Sequence, residues 1–175
     1  LHDASPIFSP GRGGFGPQLT LSYDSGAGNG PFGLGWALSF PAIRRKTEKG
    51  LPTYLDADEA DTFLLAGAED LVPELTVASS SGEPERVPPN EVRWASKHYR
   101  IFHYRPRAEG LFARIERWAE RGNPANTFWR TISRDNVTTW YGRDENSRVF
   151  DPADPRRIFE WLLCLTHDDK GNAAA

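Results

Sequence analysis

Apolar and polar residues alternate with a period of two in short runs along this chain. In residues 18–23, Leu19, Leu21 and Tyr23 share one face while Gln18, Thr20 and Ser22 share the other, which predicts a half-buried strand. Residues 36–40 repeat the pattern with Trp36, Leu38 and Phe40 on one side. Residues 42–47 read as a basic strand whose Arg44, Arg45 and Lys46 are expected in solvent. Tyr54 is expected to open a further short strand, and residues 62–65 another. Pro73 removes a ladder donor from the run 71–75 and predicts an edge strand there. Residues 79–89 are polar and Pro-rich and predict a surface loop.

The second half is more regular. Residues 92–95, 100–104, 111–118, 127–133 and 137–141 read as successive antiparallel strands. Asn136 is placed to take a left-handed conformation at the 134–136 hairpin tip. Residues 111–121 also carry apolar residues at helical spacing (Leu111, Ile115, Trp118), so a helix stands as the alternative. Residues 144–147 predict a turn, and Pro152 and Pro155 break the chain. Residues 158–166 are the most apolar run and predict a central strand. The turn at 168–172 sends the backbone back toward that run, so a following strand is expected as its partner. If that strand is missing, the run presents an apolar edge and the isolated segment should associate.

Between the first two strands, residues 23–36 read Tyr-Asp-Ser-Gly-Ala-Gly-Asn-Gly-Pro-Phe-Gly-Leu-Gly-Trp. Such a segment excludes a helix and predicts a compact connection that uses left-handed backbone. Tyr23, Gly26, Gly28, Asn29, Gly30, Gly33, Gly35 and Trp36 are its candidate structural residues. Positive φ is expected among Gly28, Gly30 and Gly33, and burial at Phe32 or Trp36.

Composition sharpens this picture to an all-β, antiparallel, aromatic-rich fold. The chain has 175 residues, enough for one domain with a core, and only 38% are hydrophobic, while six are Trp, ten Phe and five Tyr. Burial therefore depends on rings. A net charge of −3 supplies no field for nucleic acid or an anionic membrane. Cys164 alone allows neither an internal disulfide nor a multi-cysteine metal site, and its apolar surroundings predict an inert thiol. The chain has no Met, which suggests a piece of a longer protein. Residues 1–172 are expected to form one β-rich module, and 173–175 to be a stub.

No catalytic constellation emerges. Residues 11–16 and 28–33 match Gly-x-Gly-x-x-Gly, but neither precedes a helix that could hold a pyrophosphate. Asp56, Asp58, Glu59 and Asp61 form an acidic cluster without the Gly and distal Glu of a calcium loop, and a solvated turn is expected. His2, His98, His103 and His167 lack metal-ligand or triad spacing. Trp94, Trp118, Trp129, Trp140 and Trp161 would make a carbohydrate platform if exposed, and core if buried. No catalytic, cofactor or metal residue is assigned, and no cofactor is expected.

The glycine-rich stretch, with the Leu-Thr-Leu-Ser run before it and Pro41-Ala-Ile-Arg-Arg-Lys-Thr after it, resembles the SpvB amino-terminal domain family. That family occurs in virulence-plasmid toxins and in the B components of insecticidal toxin complexes (Tc). The likeness continues through Asp61-Thr-Phe-Leu-Leu-Ala-Gly, Glu109-Gly-Leu-Phe-Ala-Arg-Ile-Glu-Arg-Trp and Trp140-Tyr-Gly to Asp168-Asp-Lys-Gly-Asn. The resemblance implies a secreted toxin and a non-catalytic part of a β-rich shell that encloses and delivers a toxic domain. It implies as partners the remainder of the parent chain and C-like and A-like toxin components, with no nucleic acid and no membrane. SpvB-type proteins carry an ADP-ribosyltransferase with a Glu-x-Glu in a separate domain. Glu83-Pro-Glu85 matches that pattern only formally, without the accompanying Arg and Ser-Thr-Ser strands. A secreted carbohydrate-binding β-sandwich is the alternative.

Overall fold

The computed structural model describes residues 2–7, 19–26, 28–30, 33–48, 50–58, 60–65, 69–78, 82–108 and 112–174. Phe32, Glu59 and the 11–16 glycine motif lie outside them. In chain order the strands are β1 (His2–Ile7), β2 (Leu19–Asp24), β3 (Asn29–Gly30), β4 (Gly33–Leu34), β5 (Trp36–Ser39), β6 (Ala42–Arg45), β7 (Phe63–Leu65), β8 (Glu69–Pro73) and β9 (Leu75–Val77). They continue with β10 (Pro84–Arg86), β11 (Asn90–Trp94), β12 (Lys97–Pro106), β13 (Phe112–Glu120), β14 (Thr127–Ser133), β15 (Thr138–Tyr141), β16 (Arg148–Asp151), β17 (Asp154–His167) and β18 (Ala173–Ala174). A 3-10 turn, Glu145–Ser147, carries a capping box from Asp144. The fold is all-β, and the 111–121 segment is strand, not helix.

Eight strands close on themselves in the order β12-β13-β14-β15-β17-β6-β7-β8, with β8 returning to β12 through Tyr104↔Pro73, Arg105↔Val72 and Pro106↔Leu71. Every pairing is antiparallel. Closure removes the edges that an open sheet must protect. It also corrects the reading of Pro73: β8 is paired on both sides, and the proline is tolerated as its last residue.

The lumen is filled. Ile43, Phe63, Leu65, Leu71, Tyr104, Ile115, Trp129, Tyr141, Ile158 and Trp161 form one buried cluster to which all eight barrel strands contribute. The alternate residues of the same strands build a second cluster on the outer face: Tyr99, Ile101, Trp118, Phe128 and Trp140. Trp94, from β11, lies against Trp118, Phe128 and Trp140. The period-two alternation thus resolves into two aromatic cores, one on each side of a single sheet.

β17 is central, as its apolarity predicts, but it is no unpaired edge. β15 and β16 share one side of it, and β6 and β18 the other. The turn at 168–172 does return the chain, and Ala173 and Ala174 pair with His167 and Thr166. Two of the residues set aside as a stub, Ala173 and Ala174, are a strand, and the argument for association through an apolar edge of β17 falls. Asn136 takes the left-handed conformation expected of it, with φ of 58°.

β1, β2 and β5 make a separate three-stranded sheet in which Tyr23 faces Trp36 and Leu21 faces Leu38. The Tyr23 and Trp36 rings sit 5.2 Å apart. The glycine-rich stretch folds back through the β3–β4 ribbon. Positive φ occurs at Gly33 and at Gly35, but Gly28 is outside that region. Gly35 is the critical one: it is buried, and a Cβ there would come within 2.5 Å of the Tyr23 ring and 2.9 Å of the Asp24 carbonyl oxygen. Trp36 is half-buried rather than buried. Trp36→Ala is therefore expected to cost about 1.5–2.5 kcal/mol, below the range for emptying a fully buried aromatic site. Gly35→Val should cost more, because it combines strained backbone with a clash. Gly28→Ala, with nothing near its Cβ, is the control. Gly82, peripheral by sequence, has φ of 71° and would itself be strained by Val. Urea midpoints of the four proteins check the ranking.

Candidate functional site

Ile43 and Arg45 occupy alternate positions of β6, so Arg45 points with Ile43 rather than into solvent. Its side chain is 1% exposed, which overturns the solvated reading. Its Nε donates to the Ile158 carbonyl oxygen at 2.7 Å, Nη1 to Asp56 at 2.6 Å and Asp61 at 2.8 Å, and Nη2 to Asp56 at 2.9 Å. The guanidinium also lies over the rings of Tyr54, Phe63 and Trp161. Four of its five N–H groups are thus directed at carboxylates or a carbonyl, the condition under which a buried cation is tolerated.

The residues 46–62 that join β6 to β7 are shaped by this cation. Tyr54 is not in a strand: it has φ of 59°, and its N–H donates to Asp61, as do the N–H and hydroxyl of Thr53. Burial alone would raise the Asp61 carboxyl. The hydrogen bonds from Thr53 and Tyr54, with the Arg45 charge, overcome it and hold the group below the ordinary carboxylate range. The acidic turn is therefore not a solvated one at Asp56 and Asp61, although Asp58 is exposed. Arg117, 3% exposed, approaches Asp56 at 3.4 Å and lies over Phe102 and Phe63. Two arginines and two aspartates so form a compact charged group against the lumen cluster. Sequence reasoning missed it by assigning Arg45 on composition; its i, i+2 relation to Ile43 and the acidic loop that follows were the available signals.

A second carboxylate is buried on the outer face. Glu116 accepts from Trp118 Nε1 at 2.9 Å and from Arg130 Nε at 2.8 Å. Arg130 in turn lies over Trp118 and Trp140. These ion pairs stitch neighbouring strands together; their carboxylates are committed to arginines rather than poised as acid or base.

The other candidates remain apart. His98 is exposed and His103 half-buried on β12, five positions apart on opposite faces. Glu83 and Glu85 are exposed, and the 79–89 region is in part a strand: β10 pairs with β9. Cys164 is half-buried and its Sγ donates weakly to the Trp140 carbonyl oxygen at 3.4 Å. Among the described residues no group of three His, Cys, Asp or Glu could hold a metal ion. Trp118, Trp129, Trp140 and Trp161 are buried in the two cores, so they form no exposed platform.

A ring-filled antiparallel barrel with charges spent on internal pairing defines a structural β module. Its family is shown by comparison: the family model described as "SpvB: Salmonella virulence plasmid 65kDa B protein" matches residues 5–175, and the chain belongs to that family. It is 33% identical over 150 residues to the mono(ADP-ribosyl)transferase SpvB of Salmonella typhimurium, a match that covers 86% of this chain and 24% of that protein. The solved N-terminal domain of effector protein SpvB from Salmonella typhimurium strain LT2 superposes with a TM-score of 0.72 at 29% identity, over 94% of this chain and 50% of that one. The TcdB2-TccC3-Cdc42 crystal structure gives 0.77 at 32% identity, over 98% of this chain and 8% of that one. The Photorhabdus luminescens Tc holotoxin pore gives 0.75 at 32%, with 97% and 8% covered. The chain thus spans about a quarter of the curated relative it matches, and the likeness marks a toxin-related structural domain.

Proposed function

We propose that this module is a non-catalytic wall element of a secreted SpvB-like or Tc B-like toxin, helping to enclose and deliver a toxic domain carried elsewhere. The observation that supports it is the packed lumen: every barrel strand sends an apolar or aromatic side chain inward, so rigidity takes the place of a reaction chamber. The likeness to the N-terminal domain of SpvB, and not to a transferase portion, favours the same reading. Its partners are then the rest of the parent chain and the C-like and A-like components of a toxin complex. The test is a chimaera in which this module replaces the matching region of a TcdB2-type chain co-produced with its TccC3-type partner. The expected result is a complex that co-purifies and shields its cargo from protease. Failure to assemble with a correctly folded module, or NAD-dependent labelling of lysate proteins by the module alone, overturns the proposal.

A further inference from the structure

Outside the lumen, a cleft of about 510 Å³ opens beside the tip of the β11–β12 hairpin, lined among others by Trp94, Lys97, Asn123, Arg143, Asp144 and Glu145. Trp94 is the one outer-face tryptophan that is only half-buried; Trp118 and Trp140 beneath it are closed off. The tip holds it in place through Ala95 and Ser96, both with positive φ (49° and 64°), a conformation that non-glycine residues adopt at a cost. Its ring lies nearly parallel to Trp140, with centroids 5.7 Å apart.

The polar groups around this ring divide into two sets. Arg148 is spent on the scaffold: it donates to the carbonyl oxygens of Gly142 and Ala125 and to Asn126. Lys97, Asn123 and Asn126 all turn to Glu120. Arg143 and Glu145 are different. The Arg143 guanidinium lies over the Trp94 ring, 4.9 Å from its centre, and over that of Trp140 at 5.3 Å, and its side chain makes no hydrogen bond or ion pair to a described residue. Glu145 is exposed, and its carboxylate makes no hydrogen bond or ion pair to a described residue, though its charge, like that of Asp144, offsets part of the burial cost of the Arg148 guanidinium. Asp144 uses Oδ1 to cap Ser147.

From this geometry we infer that the cleft binds a saccharide ring, which displaces the exposed Arg143 guanidinium from over Trp94, stacks on the indole in its place and is hydrogen-bonded through its hydroxyls by Arg143, Glu145 and Asp144. A pyranose presents C–H groups on its faces and hydroxyls around its rim. A half-exposed indole bordered by planar groups of both signs matches that combination, and the pocket volume lies in the range of small-molecule sites. A purely apolar side chain would use the ring wall alone and leave the Arg143 and Glu145 side chains without a ligand contact. This inference goes beyond the wall reading and does not depend on it: a wall element can carry a glycan contact or lack one.

The test is a glycan array with the folded chain, followed by NMR titration of any bound saccharide against the Trp94 indole N–H. Millimolar methyl β-galactoside and methyl α-glucoside serve as starting probes. The expected result is a shift of the Trp94 signal, with affinity falling about tenfold in Arg143→Ala and in Glu145→Gln, the loss typical of one good polar contact. Neither exposed residue belongs to a core cluster, so both variants should fold, and unchanged thermal melts check this. Array-wide absence of binding overturns the inference. So does binding that leaves the Trp94 signal unmoved or survives both substitutions, and so does a cleft that takes a peptide instead.

Discussion

Gly142→Ala is expected to be among the most damaging single substitutions in this chain, although it adds one methyl group. Gly142 follows β15 and has φ of 64°, where a Cβ is already disfavoured. That Cβ would also lie far inside contact distance of the Trp161 side chain. Trp161 cannot retreat. It is fully buried in the lumen, its Nε1 donates to the Thr127 carbonyl oxygen at 2.7 Å, and Phe63 and Trp129 pack against it. The Gly142 N–H is meanwhile fixed to the Leu162 carbonyl oxygen. Backbone strain of about 1–3 kcal/mol adds to overpacking of about 1–3 kcal/mol. A loss of about 3–5 kcal/mol follows, a large share of a domain's total stability. Denaturant unfolding of Gly142→Ala beside Gly171→Ala separates the two terms. Gly171 has φ of 83° but open space around its Cβ, so it reports strain alone. Equal losses in the two proteins would show that the Trp161 contact contributes nothing.

Much of this architecture is legible in the amino-acid order, because a strand declares its two faces by alternation. The five strands from β11 to β15 and the Asn136 turn are visible that way, and so is the apolar character of β17. What alternation cannot show is closure. Nothing local to Pro73 announces that β8 will find β12, so a proline that reads as an edge marker ends a strand paired on both sides. The same limit hides the partner that residues 42–44 supply to β17, whereas the strand beyond the 168–172 turn is announced by the turn itself. Charge is misread for a related reason. Arg44 and Arg45 look alike in composition, yet one is exposed and the other fully buried, because only Arg45 shares the face of Ile43. The glycine-rich stretch is legible as a fold-back, but its critical glycine, Gly35, is distinguished only by the Tyr23 ring above it.

Arg45→Met is expected to be destabilising by about 3–5 kcal/mol at neutral pH, the cost of removing one partner from a buried ion pair. Methionine fills similar space beside Phe63 and Trp161, so the loss reports charge more than volume. What remains is Asp61, its side chain 7% exposed, and Asp56, answered only by Arg117 at 3.4 Å. The pH dependence separates this account from a packing defect. In the parent chain Asp61 is held below its ordinary value of 3.8, so its contribution is complete above that value and is lost as pH falls through the depressed one. In Arg45→Met the Arg45 charge no longer opposes burial, and the carboxyl moves upward. A carboxyl with a raised folded pKa stabilises most at low pH and loses that contribution as pH rises. The difference between the two proteins should therefore be largest near neutrality and shrink toward about pH 4, where carboxylates begin to protonate in both. Adding Asp61→Asn to Arg45→Met should recover part of the loss at pH 7 and little at pH 4, since an amide needs no counter-charge and can still accept from Thr53 and Tyr54. Urea unfolding of the parent, Arg45→Met and the double variant at both pH values measures this directly. A destabilisation by Arg45→Met that does not change with pH would assign Arg45 a packing role alone.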